Sequence, residues 1–246
     1  MKKQKIAALS AILLGSAVLS SGISFAADGG ELTTNGIIEF TTNTSTTDPV
    51  DPLDPDPSDP ITPEDPTGPT PGGTAGPLSI DFASSLSFGS QKISSKTETY
   101  FAGAQKYKDS AGADKEGPNF VQVTDNRGVE TGWTLKVKQN GQFKTSADKE
   151  LTGAKITFKN GNVVTNSQSP KPANVSSTIV LATDASESLV MSAKNGQGAG
   201  THLMDWGNSV DTAKNSISIE VPGSTTKYAS KYTTTFTWIL SDTPGN

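Results

Sequence analysis

Tyr232-Thr233-Thr234-Thr235-Phe236-Thr237-Trp238-Ile239-Leu240 is the stretch whose reading decides the fold. In an extended chain, Tyr232, Thr234, Phe236, Trp238 and Leu240 share one face, and three threonines and Ile239 take the other. This period of two reads as a half-buried antiparallel strand. The same alternation sets Trp133, Leu135 and Val137 against Thr134, Lys136 and Lys138, and it recurs at Ile156 and Phe158 and at Ile217, Ile219 and Val221. Further strands are expected at residues 78–82, 119–124, 163–165, 177–183 and 188–193. Asn126-Arg127-Gly128, Asn140-Gly141, Asn160-Gly161, Asn195-Gly196 and Pro222-Gly223 are turn signals, and Asn-Gly between alternating runs is a hairpin cue. The pattern predicts an all-β fold, an antiparallel two-sheet β-sandwich with a β-barrel as the alternative. The Gly- and Ser-rich stretches 102–117 and 195–201 then read as long loops.

Upstream of this domain, residues 78–246, the chain changes character twice. Residues 1–26 are expected to be a signal peptide, with an uncleaved membrane anchor as the alternative: Lys2, Lys3 and Lys5 precede an apolar run, and Ser24-Phe25-Ala26 supplies small residues for cleavage after Ala26. Residues 27–40 are an N-terminal stub whose run Ile37-Ile38-Glu39-Phe40 is a short β-prone strand. It is expected to dock on the sandwich edge, the alternative being β-augmentation of a partner. Residues 41–77 hold ten of the fifteen prolines and seven acids, with Asp-Pro occurring six times and no Lys or Arg. Such a segment predicts a disordered Pro-rich spacer, an extended polyproline II linker with neither helix nor sheet. Fully stretched, it would reach about 115 Å at roughly 3.1 Å per residue.

Composition excludes much chemistry. The 246 residues contain no cysteine and one histidine, which removes thiol nucleophiles, disulfides, Cys-type zinc sites and two-histidine metal sites. No cofactor or metal site is expected. The net charge is −5, yet residues 78–246 carry 17 Lys/Arg and 15 Asp/Glu, so the acidity belongs to the spacer and stub. An excess of two scattered cations is no nucleic-acid footprint. The carboxylates stand singly among turns, whereas glycoside hydrolysis needs an opposed pair, so no catalytic residue is assigned and a cell-wall hydrolase is only a remote reading.

The sequence resembles the WxL-domain cell-surface proteins of low-GC Gram-positive bacteria. Thr131-Gly132-Trp133-Thr134-Leu135 stands where that family has its first Trp-x-Leu motif. Residues 232–244, with Tyr232, Thr237, Trp238, Leu240 and Pro244, match the distal one. The signal peptide, the Asn35-Gly36-Ile37-Ile38-Glu39-Phe40 segment, the Asp-Pro repeat and Pro77-Leu78-Ser79-Ile80-Asp81-Phe82 are also family-like. The resemblance implies a secreted, non-enzymatic protein whose C-terminal domain associates non-covalently with the peptidoglycan of the cell wall. It also implies co-exported partner proteins and, in some members, adhesion to host matrix proteins. The residues point the same way: no Leu-Pro-x-Thr-Gly sorting signal, apolar tail or lipidatable cysteine is present, so wall retention is expected to be non-covalent, with no membrane association after signal cleavage.

Within the motifs, alternation places Trp133 with Leu135 and Trp238 with Leu240, and reads both indoles as core anchors; an exposed platform for sugar rings is the competing reading. Candidate wall contacts are therefore sought elsewhere. Lys136 and Lys138 project from the opposite face, toward teichoic acid phosphates or peptide-stem carboxylates. Tyr100, Phe101 and Tyr107 are read as loop aromatics offered to the wall or to a partner protein, or equally as part of a loop folded onto the sandwich. His202 reads as a surface or capping residue.

Overall fold

The structure, a computed structural model, describes residues 30–244, and the expected signal peptide lies outside them. The chain divides into two compact units, Met1–Glu39 and Phe40–Asn246. In the first, residues 30–39 carry no regular secondary structure and are exposed. The expected strand at Ile37 does not form. Among the described residues this run has no ladder partner.

The second unit is all-β. Its strands are β1 (Thr62–Pro63), β2 (Leu78–Ala83), β3 (Glu98–Phe101), β4 (Gln105–Lys108), β5 (Asp114–Gly117), β6 (Asn119–Asp125), β7 (Trp133–Gln139) and β8 (Lys155–Phe158). They continue as β9 (Gly161–Thr165), β10 (Asn174–Val175), β11 (Ile179–Val180), β12 (Ser188–Ala193), β13 (Gly200–Trp206), β14 (Ile217–Val221) and β15 (Phe236–Ser241). One helical turn, α1 (Val210–Ala213), is closed by a capping box between Ser209 and Thr212.

These strands make four small antiparallel sheets rather than the two expected: β1-β4-β5, β10-β12-β7-β15, β11-β8-β14-β3 and β2-β6-β13-β9. Among them only β4 and β5 are neighbours both along the chain and within a sheet. The Asn-Gly signals therefore make corners, not hairpins. Asn160-Gly161 carries β8 into β9 and Asn195-Gly196 carries β12 toward β13, in each case from one sheet to another. The positive φ such dipeptides allow is used: 57° at Asn160, 111° at Gly141 and 83° at Gly196.

One hydrophobic core serves all three four-stranded sheets. Trp133, Leu135 and Val190 come from one, Ile156, Phe158 and Ile217 from the second, Val121, Met204 and Trp206 from the third. β7 and β14 show the alternation foreseen for them, inward residues buried and outward ones half-buried. β6 and β13 do not alternate, because they are covered on both faces. For that reason residues 200–206 carry no period-two signal, and residues 200 and 201, expected within the 195–201 loop, open a central strand paired with β6 and β9. Residues 102–117, also read as a loop, contain the β4–β5 hairpin. The strand expected from Tyr232 begins at Phe236, and that expected at 177–183 shrinks to Ile179–Val180.

What covers the outer face of β6 and β13 is the Asp-Pro segment. Val50 and Ile61 join Phe82, Tyr107, Phe120 and Leu203 in a second hydrophobic cluster. The Gln122 side chain fixes the segment: its Oε1 accepts from the Val50 amide at 2.9 Å, and its Nε2 donates to the Asp48 carbonyl and to Asp81. Asp81 also accepts from Ser79 and Thr124. Residues 48–63 thus sit on the sheet, and β1 adds to β4, where sequence reading placed neither sheet nor order. Pro63 is tolerated because β1 is an edge strand and needs a ladder on one side only. Burying a Val or Ile side chain contributes about 1.5–3 kcal/mol.

Candidate functional site

The two Trp-x-Leu motifs lie side by side, because β15 pairs with β7 and Leu240 faces Leu135 across the ladder. Their tryptophans have different surroundings. Trp133 is 0% exposed and donates its indole N–H to the Gly198 carbonyl at 2.9 Å. Two glycines at positive φ beside it have no space for a side chain. A Cβ on Gly132 would lie 2.4 Å from the Ala193 carbonyl oxygen, and one on Gly198 would lie 2.6 Å from the indole nitrogen itself. Arg127 grips the loop ahead of the motif by pairing with Asp125 and donating to the Gly132 carbonyl.

Trp238 is half-buried. Its ring packs 5.9 Å from that of Trp206, while the side chain lines a groove of about 470 Å³ with Pro71, Ile80, Phe82 and Phe236. Of the remaining motif residues, Tyr232 and Leu240 pack half-buried against the core, and the Tyr232 hydroxyl accepts from the Tyr228 amide. Thr237 exchanges hydrogen bonds with the Asn140 side chain, and Pro244 is exposed.

On the outer face of this sheet stand Thr134, Lys136 and Lys138, all half-buried. Lys138 is opposite Thr237 and Lys136 opposite Ile239. Lys136 reaches Glu187 at 3.1 Å, whereas Lys138 has no carboxylate within ion-pair distance among the described residues. The Asn140 amide bridges the Thr235 and Thr237 hydroxyls at 3.0 and 2.9 Å. The result is a strip of hydroxyls, an amide and two ammonium groups on one sheet face. Its chemistry suits sugar hydroxyls, carboxylates and phosphates.

The aromatic candidates fare differently. Tyr107 is 2% exposed, so it cannot meet the wall as expected; it is a core residue of the second cluster, beneath the Asp-Pro segment. Tyr100 packs half-buried against the main core and Phe101, next to it on the edge strand β3, is partly exposed. His202 corrects a second expectation: instead of lying at the surface it is fully buried beside Trp133, its Nε2–H donating to the Ala199 carbonyl. Burial lowers its pKa and holds it neutral.

Two buried carboxylates were not singled out from sequence. Burial raises the pKa of Asp81 against the opposing pull of its three side-chain donors. Asp205, with neither oxygen hydrogen-bonded, is raised well above the usual carboxylate range, first by burial and then by the neighbouring charge of Asp51. A lone Asp in an unpatterned stretch gives no signal for this; only the cover laid over β13 creates it. Among the described residues no three His, Asp or Glu side chains cluster to hold a metal ion. None of their helices is long and apolar enough to cross a membrane.

The profile of a family described as WxL domain, surface cell wall-binding, matches residues 27–244. No curated protein and no solved structure matches the chain. With both Trp-x-Leu strands paired in one sheet and a match spanning nearly all of its length, the chain belongs to the WxL-domain family and is a cell-surface protein.

Proposed function

We propose that the chain is a non-enzymatic wall protein, held non-covalently on peptidoglycan by the outer face of the β10-β12-β7-β15 sheet. The observation that carries this reading is the alternation of β7. Trp133, Leu135 and Val137 are used up in the core, which leaves Thr134, Lys136 and Lys138 as the residues that the motif presents outward. Beside them the Asn140–Thr235–Thr237 bonds hold the hydroxyls in a fixed row. Lysine ammonium groups attract peptide-stem carboxylates and teichoic phosphates through a screened, salt-sensitive field. A family match that begins at Ala27 supports export with cleavage after Ala26.

Sedimentation of the mature chain with purified sacculi, with and without teichoic acid, tests the reading. Pelleting that weakens with salt and with Lys136→Ala/Lys138→Ala supports it, and a chain that stays in the supernatant overturns it. Zymography on whole cell walls tests the absence of hydrolase activity, which a clearing zone would contradict. A second reading, a subunit of a surface complex or an adhesin bound to a host matrix protein, is favoured by one specific observation: Ile37, Ile38 and Phe40 are almost fully solvent-exposed.

A further inference from the structure

The exposed run has a counterpart elsewhere in the chain. Ile37 is 99%, Ile38 76% and Phe40 85% exposed, an apolar β-prone segment with no ladder partner among the described residues. Such a strand is an association site unless something pairs with it. β15, in turn, lies at the edge of its sheet and bonds to β7 alone. The Asn140 amide donates to the Thr235 carbonyl, so by alternation the backbone groups of Thr237 and Ile239 also face β7. Those of Phe236, Trp238 and Leu240 face away, and no backbone hydrogen bond is made on that side among the described residues.

We propose that residues 36–40 of one copy add as a strand to the free edge of β15 in a second copy. Five residues extend about 17 Å, the span of residues 236–240. Side chains alternate, so Ile38 and Phe40 would enter the groove lined by Phe236 and Trp238, where Ile80, Phe82 and Leu86 add apolar surface among threonines and serines. Ile37 and Glu39 would then lie on the outer face, and Glu39 brings the segment's one charge toward the face that carries Lys136 and Lys138. Face polarity and charge agree in this arrangement, and a parallel strand with Gly36 beside Phe236 places Ile37 next to Thr237. The contact is heterologous: each copy gives a strand at one place and takes one at another. Association therefore closes as a reciprocal dimer or runs on as a chain.

The full mature chain tests this by light scattering coupled to size exclusion over a concentration series. The expected result is a mass at least twice that of the monomer, which falls to the monomer in Ile38→Lys/Phe40→Lys. These positions lie outside the β-sheets, so the fold is not at stake. A monomer at every concentration, or association that survives the double variant, overturns the proposal. Because the chain has no cysteine, site-specific cross-linking adds a positional test. Mixing Ile37→Cys with Thr237→Cys should give a cross-linked heterodimer, while coupling only within Ile37→Cys would contradict the assigned edge. Sacculus binding, measured on the same double variant, is expected to be unchanged, which separates this proposal from the wall reading.

Discussion

β7 and β15 carry the same Trp-x-Leu pattern in the same sheet and are paired residue for residue, yet they hold their tryptophans differently. β7 is an inner strand with neighbours on both sides, and Trp133 is sealed with its N–H satisfied. β15 is an edge strand with all six residues half-buried, and Trp238 closes the core from one side while lining a groove from the other. A side chain's alternation fixes which face it takes. Its place in the sheet decides whether that face is shut. One motif is therefore architecture, and the other is architecture with an open margin.

The largest expected effect is at the sealed site. Trp133→Ala should cost about 3–5 kcal/mol in chemical denaturation, the range for removing a buried aromatic, and leave the indole's cavity unfilled. Trp238→Ala should cost less, roughly 1.5–3 kcal/mol, since the ring is only half-covered; equal losses would dissolve the contrast. Acrylamide quenching of single-tryptophan variants sharpens the same point, with Trp238 quenched and Trp133 shielded.

Next comes the cover of β6 and β13. Gln122→Ala strips the Val50 amide of its acceptor and should cost about 1–3 kcal/mol while opening residues 48–63 to protease. Uniform resistance to cleavage in that variant would mean the segment is held by something other than Gln122. Under the same cover, Asp205 gives a pH signature. Its folded pKa is raised above the ordinary 3.8, so the stability it contributes is present in acid and is lost as pH climbs from about 4 toward its folded value. Melting curves of Asp205→Asn against the parent chain should diverge in that direction, the variant gaining relative stability toward neutral pH. Parallel profiles would refute a carboxyl sealed under this cover. The smallest change in stability is expected at the outer strip, where Lys136→Ala breaks an exposed ion pair worth less than about 1 kcal/mol.

How legible all this was in the sequence depended on how many faces of each strand are buried. β7 and β14, wet on one side, wrote their structure as alternation and were read correctly down to the faces of Trp133 and Lys136. β13, buried on both sides, has no period, and His202 and Asp205 on it were either misplaced or unseen. The Asp-Pro segment was misread because proline's local constraints forbid a central strand but not an edge strand, and a long-range partner such as Gln122 leaves no local trace. Asn-Gly correctly marked changes of direction but could not say whether the chain returned to the same sheet or crossed to another. Of the candidate site, the lysine face was legible because it follows from alternation, and Tyr107 was not, because its burial depends on residues some fifty positions away.

Sacculus sedimentation of two variants in parallel tests the central claim most directly. If the wall is met by the outer strip, folded Lys136→Glu/Lys138→Glu remains in the supernatant while folded Trp238→Ala pellets like the parent chain. The reverse outcome, with the lysine variant pelleting and the tryptophan variant left behind, would place wall binding in the Trp238 groove and contradict the account.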